Sequence, residues 1–154
     1  MEYQNEVIID FARRTRANLE FIEHAEKCGE SVFEVTQLAN SLLGLLVFPR
    51  EHYMERIPDT PLPELVEQGW PNVRTTHGQI SPNTLKQLMK MLRNGIAHCN
   101  VDFVVGEDRK ITGIQVWNKT NAGIKTWHAE LTINDLRTIA IKFVELIEQG
   151  HRLD

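Results

Sequence analysis

The feature that most constrains the fold of this chain is a series of apolar residues spaced three and four positions apart over residues 3–27. Its members are Val7, Ile8, Phe11, Ala12, Leu19, Ile22 and Ala25. This spacing matches the turn of an α-helix, so it predicts a long helix with one buried face. Gly29 follows at a position typical of a helix end. A second helix is predicted over residues 31–48, and Pro49 ends it because proline cannot donate a backbone hydrogen bond.

Residues 50–80 interrupt the helical pattern with four prolines and two glycines. A short helical turn is expected over residues 63–68, and the length of the whole segment suggests a packed excursion with a role of its own. A third helix is predicted to begin with Ser81 as its N-cap and Pro82 in its first turn. Its apolar stripe is Leu85, Leu88, Met89, Leu92 and Ile96, and it should end near His98–Asn100.

Residues 101–131 have the composition of β-strands rather than helices. Three runs rich in β-branched and aromatic residues, separated by glycine-containing turns, predict a three-stranded antiparallel meander. A last helix is predicted over residues 134–149, with Thr132 or Asn134 as its cap. The expected fold class is therefore mainly α: an up-and-down helical bundle forming a single domain over residues 1–154, with a small antiparallel β meander inserted before the last helix.

Composition narrows the class of protein. The chain has 154 residues, of which 42% are hydrophobic and 25% are charged, as in an ordinary globular protein. It contains no apolar run of membrane-spanning length and no signal-peptide pattern at its N-terminus, so a cytoplasmic location without membrane association is expected. Cys28 and Cys99 are expected to be free thiols. The net charge of −4 argues against a protein that coats nucleic acid, although it allows a small cationic site.

The end of the third helix carries the candidate catalytic residues Arg93, Asn94 and His98, in the sequence LRNGIAH. Arginine presents a fixed fork of donors that suits a phosphate whose charge grows in the transition state. Histidine exchanges protons near neutral pH, for example with a ribose 2′-hydroxyl or a leaving 5′-oxygen. Asn94 lies one helical turn before His98 and can orient it or bind a phosphate oxygen. Together these three side chains can support RNA cleavage.

The spacing of the pair leaves its geometry open. In an ideal helix, side chains five positions apart point about 140° away from each other, so Arg93 and His98 do not share a face. They can meet if the helix frays at its end, or if a second protomer completes the site. An alternative without catalysis is that His98 complements the helix dipole while Arg93 is solvated or paired with an acid. Gly95 between them suggests close approach of another backbone, which a partner helix would supply.

This pattern, an arginine followed by four residues and a histidine, with asparagine in the first intervening position, resembles the signature of the HEPN family (higher eukaryotes and prokaryotes nucleotide-binding domain). Residues 40–51 also look like the corresponding second helix of a bacterial HEPN branch, and the resemblance covers roughly residues 5–145. It implies a HEPN-like bundle whose homodimer pools two arginines and two histidines in one cleft. The β meander departs from the simplest HEPN pattern.

The resemblance also implies an activity: metal-independent RNA cleavage that leaves a 2′,3′-cyclic phosphate and a 5′-hydroxyl, with no cofactor. The expected setting is a toxin–antitoxin or defence system, with RNA as substrate and an antitoxin or a nucleotidyltransferase-like protein as partner. The alternative from another class is a non-catalytic HEPN module that binds a nucleotide or a partner. A third reading is a structural or assembly subunit, which would be a monomer or would dimerise away from the third helix.

Other candidate residues carry weaker signals. Arg13, Arg14 and Arg16 could hold an RNA backbone, but a solvated face with Glu20 and Glu23 as ion-pair partners is the favoured reading. Asn40 is either a buried residue that orients the site or an exposed one. The scattered His52, His77 and His128 lack metal-ligand spacing, so no metal site is expected. The tryptophans are expected to pack in the core or sheet rather than form a base-stacking platform, and they are Trp70, Trp117 and Trp127.

Overall fold

The computed structural model describes residues 2–47, 54–107 and 109–150. The helices in this part of the chain are α1 (Glu2–Lys27), α2 (Glu34–Val47), α3 (Leu62–Glu67), α4 (Leu85–Ala97) and α5 (Ile133–Gly150). The strands are β1 (Thr75–His77), β2 (Val101–Val105), β3 (Ile111–Lys119) and β4 (Lys125–Thr132). Each predicted helix is present, including the short one in the proline-rich segment. The predicted end of the second helix, at Phe48 and Pro49, lies outside the described residues.

Helices α1, α2 and α5 pack against one another, and α4 packs against α2 and strand β3. The α5 helix supplies the largest share of the core, because Ile139, Ala140, Phe143 and Val144 are all fully buried. Glu34, which is also buried, accepts a hydrogen bond from Arg137 and so ties the start of α2 to α5. On α1 the predicted face is buried at Ala12, Leu19 and Ala25, together with Ile9, which the spacing did not include. The prediction is wrong for Val7 and Phe11, which are exposed because the buried face turns toward Ile9 instead.

Helix ends follow from local hydrogen bonding. The Thr132 hydroxyl accepts from the Asp135 backbone N–H, and the Asp135 carboxylate accepts from the Thr132 N–H in return. This reciprocal capping box begins α5 directly after β4, as predicted for Thr132. Gly29 closes α1 in the left-handed conformation, with a φ of 80°, where a side chain would be strained.

The sheet has four antiparallel strands in the order β1-β4-β3-β2, so the prediction of three strands is wrong in number. The fourth, β1, comes from the proline-rich segment and pairs with β4, where Thr75 lies opposite Ala129. A strand of three residues is too short to show an alternating pattern, which is why the sequence did not indicate it. The segment is a packed excursion, since it completes one edge of the sheet.

The two faces of the sheet differ. Val116, Ala129 and Leu131 are fully buried on the face that packs against α4 and α5. Because side chains alternate along a strand, Trp117 and His128 lie on the opposite face, where both are half-buried. The expectation of core packing is thus confirmed for Trp70 and Trp127, which are buried, while Trp117 stands on the outer face.

The described part of the chain is thus mainly helical with one antiparallel sheet, whose strand β1 precedes α4 and whose other three strands lie between α4 and α5. None of the described helices is long and apolar enough to cross a membrane.

Candidate functional site

Helix α4 carries the predicted catalytic residues, and it begins later than predicted. Thr84 is the N-cap, with its hydroxyl accepting from the Gln87 backbone N–H at 3.4 Å. The Gln87 side chain in turn accepts from the Asn83 N–H at 2.8 Å. Ser81 instead donates its hydroxyl hydrogen bond to Thr75 Oγ1 in β1. The prediction of Ser81 as N-cap was wrong because Ser81 is engaged with β1, while Thr84 occupies the capping position.

The C-terminal end of α4 is closed tightly. Cys99 adopts a φ of 55°, and its N–H donates to the Ile96 carbonyl at 3.0 Å. The Asn100 N–H donates to the Gly95 carbonyl at 2.8 Å, which completes a Schellman motif. His98 is the C-cap, and its own N–H still bonds to the Asn94 carbonyl at 3.1 Å. The helix is therefore regular between Arg93 and His98, so fraying does not bring the pair together.

Gly95 is buried where α4 crosses β3. A Cβ atom at this position would lie 2.5 Å from Val116 Cγ2 and 3.0 Å from the Trp117 carbonyl oxygen. No side chain fits in that space without movement of the strand or of Val116. The backbone that approaches Gly95 therefore belongs to this chain's own sheet, which corrects the expectation that a partner helix does so.

Arg93 is half-buried on the side of α4 that faces residues 54–59. Its Nε atom is buried and has no hydrogen-bond partner among the residues that the structure describes. The side chain lines a cavity of about 240 Å³, together with Met54, Glu55, Asp59, Lys86, Gln87 and Lys90. Nε itself is shielded from solvent, so an anion in this cavity would meet the part of the half-buried Arg93 side chain that is exposed.

Two lysines in this cavity were not singled out from the sequence. Lys86 and Lys90 precede Arg93 by seven and three positions, so all three cations lie along one side of α4. The signal was present in that spacing. The Lys86 ammonium lies 3.6 Å from Asp59 and 3.9 Å from Glu55, so acids from the preceding segment partly neutralise it. Lys90 is exposed.

His98 and Asn94 lie on another side of α4. His98 is exposed, and Asn94, one turn before it, is half-buried. The exposed imidazole is open to a substrate or to a second protein chain, in contrast to a histidine packed into its own core. The structure thus brings Asn94 and His98 to one side of the helix and leaves Arg93 about 140° away in an ideal helix.

The basic cluster on α1 is paired with acids. Arg13 contacts Glu148 at 3.3 Å, and Arg14 contacts Asp10 at 2.7 Å. Arg16 contacts Glu20, as predicted, and also Glu145 and Glu148 of α5. Glu23 instead pairs with Lys27, and that hydrogen bond lowers the pKa of the Glu23 carboxyl. These arginines belong to a network of ion pairs between α1 and α5.

The remaining predicted residues lie elsewhere. Asn40 is exposed on α2, so the second of its two alternatives is observed. His77 and His128, which are far apart in the sequence, are opposite each other where β1 pairs with β4. His52 lies outside the described residues.

One family model matches the chain. Its description is HEPN pEK499 p136, and the match covers residues 1–153. No curated protein and no solved structure matches the chain. HEPN domains are generally nuclease or RNA-binding modules. Because the match extends over nearly the whole sequence and includes the helix that carries Arg93 and His98, the chain belongs to the HEPN pEK499 p136 family.

Proposed function

We propose that this protein is a metal-independent endoribonuclease that acts as a homodimer, with Arg93, Asn94 and His98 of each protomer at the cleavage site. One observation carries the proposal: α4 presents the half-buried Arg93, which lines a cavity beside residues 54–59, and an exposed imidazole at its C-cap. A guanidinium that can bind an anion and an accessible proton-transfer group are the two parts that phosphodiester cleavage needs.

The chemistry follows from these groups. A neutral histidine accepts the proton of the ribose 2′-hydroxyl, and the 2′-oxygen attacks the adjacent phosphorus. The bond from phosphorus to the 5′-oxygen breaks, and a protonated histidine donates a proton to that leaving oxygen. Arg93 bonds the non-bridging oxygens, whose negative charge grows as the reaction proceeds. The products are a 2′,3′-cyclic phosphate and a 5′-hydroxyl, and no metal is required because the nucleophile is part of the substrate.

The geometry of α4 supports a site that is completed by a second protomer. Because the helix is regular from Leu85 to Ala97, its Arg93 and His98 point in different directions. A two-fold axis beside the exposed side of α4 would bring a second copy of the helix antiparallel to the first. In that arrangement Arg93 of one protomer faces His98 of the partner subunit. The exposed Ala97, a small residue between the two positions on the helix surface, permits such a close approach.

The cellular setting that we propose is cytoplasmic, in a toxin–antitoxin or defence system. An RNA-cleaving enzyme without a control would harm its own cell, so an antitoxin or a nucleotidyltransferase-like protein is the expected partner. Co-purification of the native protein with its neighbours in the cell would identify that partner. Recovery of the protein alone under conditions that preserve complexes would contradict this setting.

The activity is tested by incubating purified protein with mixed cellular RNA in the presence of a chelator. The same RNA is treated with His98→Ala and Arg93→Ala, and with His24→Ala as a matched control, because His24 is exposed on α1 away from α4. The 3′ ends of the products are then analysed. Cyclic-phosphate ends from the wild type and from His24→Ala, but from neither site variant, are the expected result.

Absence of cleavage by a folded and dimeric wild type would contradict the proposal and favour a module that binds a nucleotide or a partner. Equal cleavage by all four proteins would show that a different site, or a contaminant, produces the ends. A substrate with a single 2′-deoxy position provides an internal check, because removal of the nucleophile should abolish cleavage at that bond only.

A further inference from the structure

The outer face of the sheet carries an aromatic surface that the cleavage site does not use. The rings of Trp117 and His128, which are cross-strand partners in β3 and β4, stack with a centroid separation of 6.3 Å and an interplanar angle of 24°. The Lys125 ammonium lies 4.5 Å from the centre of the Trp117 ring. We propose that this surface, made of Trp117, His128, Lys125 and Lys119, is a binding site for single-stranded nucleic acid, in which a base stacks on the aromatic rings.

The histidine is held in place rather than free to rotate. His128 Nδ1 is hydrogen-bonded to Thr76 Oγ1 of the neighbouring strand β1, and the same hydroxyl also donates to the His128 carbonyl at 3.2 Å. Partial burial, with Lys125 and His77 nearby, lowers the pKa of His128 below its ordinary value of 6.5. The imidazole is therefore neutral at physiological pH and is held in a fixed position, stacked with the tryptophan ring. Pre-ordered aromatic surfaces lose little conformational entropy on binding.

The charges around the rings fit a phosphate backbone. Lys119 and Lys125 are opposite each other in the β3–β4 ladder, and both side chains are exposed. The one carboxylate on β4, that of Glu130, accepts a hydrogen bond from Gln115 and acts on the pKa of His128 against the effect of Lys125, which is the larger of the two. A lysine over an aromatic ring on a flexible stem can move to a phosphate while a base takes its place on the ring. Stacking combined with cations is the usual basis of sequence-tolerant single-strand binding.

The surface is separate from the cleavage site. The backbone of Trp117 contacts α4 at Gly95, so the Trp117 side chain lies on the far side of the sheet from α4. Binding there does not depend on Arg93 or His98, and it does not require a 2′-hydroxyl. This inference therefore goes beyond the proposed cleavage, and its failure would leave the proposed cleavage standing.

The test is titration of the protein with an oligodeoxythymidylate, which cannot be cleaved through a 2′-hydroxyl. Binding is followed by fluorescence anisotropy of a labelled oligonucleotide and by quenching of tryptophan emission. Trp117 is half-buried, whereas the two other tryptophans, Trp70 and Trp127, are buried, so quenching should come from Trp117. The variants are Trp117→Ala, Trp117→Phe and the double variant Lys119→Ala/Lys125→Ala. Gln115→Ala is the matched control on the same face, and Arg93→Ala/His98→Ala tests independence from cleavage.

The expected result is weaker binding by about tenfold or more for Trp117→Ala, as for loss of one stacked base. Trp117→Phe should retain most of the affinity, and the double lysine variant should bind less tightly with a shallower dependence on salt. Gln115→Ala and Arg93→Ala/His98→Ala should bind as the wild type does. Absence of binding by the wild type, or equal affinity for wild type and Trp117→Ala, would overturn the proposal. Equal losses in Trp117→Phe and Trp117→Ala would also overturn it, because they would indicate a structural role.

Discussion

The two sides of helix α4 are under opposite constraints. On one side, Gly95 lies against β3 with no space for even a methyl group. On the other side, Lys90 and His98 are exposed, and Asn94 between them is half-buried. Residues 90–98 therefore include both residues that pack against the sheet and residues that are accessible to a substrate.

Stability and activity can therefore be changed separately on α4. A change on the packed side must move β3 or leave a strained contact, so it should lower the free energy of unfolding. A change on the exposed side removes little packing, so it should affect chemistry alone. The two sides are still connected through the backbone. The hydrogen bonds at the C-terminal end of α4 fix the position of the His98 backbone relative to Gly95.

The largest expected effect is at the two proposed catalytic residues, the exposed His98 and the half-buried Arg93. Removal of His98 or Arg93 by substitution with alanine should lower the rate of RNA cleavage by roughly 10²- to 10⁴-fold, because each removes a proton-transfer group or a charge-stabilising donor. The melting temperature of His98→Ala should change little, since the imidazole is exposed. Initial rates and thermal melts of the same preparations check this. A large loss of thermal stability in His98→Ala would contradict the separation of the two sides.

The next effect is on the packed side. Gly95→Ala should lower the free energy of unfolding by about 1–2 kcal/mol, because strain against Val116 and the Trp117 carbonyl exceeds the gain of about 1 kcal/mol in helix propensity. Urea denaturation measures the change. Combining Gly95→Ala with Val116→Ala should cost less than the sum of the two single changes, since the smaller side chain makes space. A stabilised Gly95→Ala would show that the contact with β3 is looser than described.

A smaller effect is expected at the α1 cluster. The side chains of Arg13 and Arg14 are mostly exposed, and each contacts an acid. Replacing both with alanine should lower the free energy of unfolding by less than about 1 kcal/mol per ion pair, as is usual for exposed pairs. RNA cleavage should remain near the wild-type rate. A drop in cleavage comparable to that of Arg93→Ala would instead assign these arginines to the RNA-binding surface.

The smallest effect concerns the pH dependence of stability at the sheet. The pKa of His128 is lowered in the folded protein, so the unfolded chain binds the proton more tightly. This contribution to stability is complete above the ordinary pKa of 6.5 and is lost as the pH falls through the lowered value. The melting temperature should therefore decrease more steeply between about pH 7 and about pH 5 for the wild type than for His128→Gln. Identical slopes would contradict the assignment.

Much of the fold could be predicted from the sequence because its long helices bury faces with strong periodicity. Residues 134–149 are the clearest example, and Thr132, one of the two caps that the sequence predicts for α5, is its N-cap. Strand β1 could not be predicted, since three residues show no pattern and its pairing with β4 depends on tertiary contacts. Ser81 satisfied the local rules for an N-cap, but its hydroxyl bonds to Thr75 of β1, a partner that local rules do not include.

The candidate site likewise has features that the local sequence predicts and features that depend on tertiary contacts. Residue types and spacing identified Arg93, Asn94 and His98, and ideal helix geometry predicted the angle between Arg93 and His98. The sequence could not decide between a frayed and a regular helix end, because that depends on the left-handed Cys99 and the bonds to Gly95 and Ile96. The prediction that a partner helix packs against Gly95 was wrong, because a sequence does not reveal which backbone approaches a glycine.

The most direct test of the central claim, that Arg93 and His98 act across a dimer, is complementation between inactive variants. Arg93→Ala and His98→Ala proteins are unfolded together, refolded as a mixture and assayed for RNA cleavage. A mixed dimer retains one Arg93 and one His98 on opposite protomers, so activity should return although neither variant cleaves alone. If the mixture remains inactive while mixed dimers are present, Arg93 and His98 do not act together across a dimer.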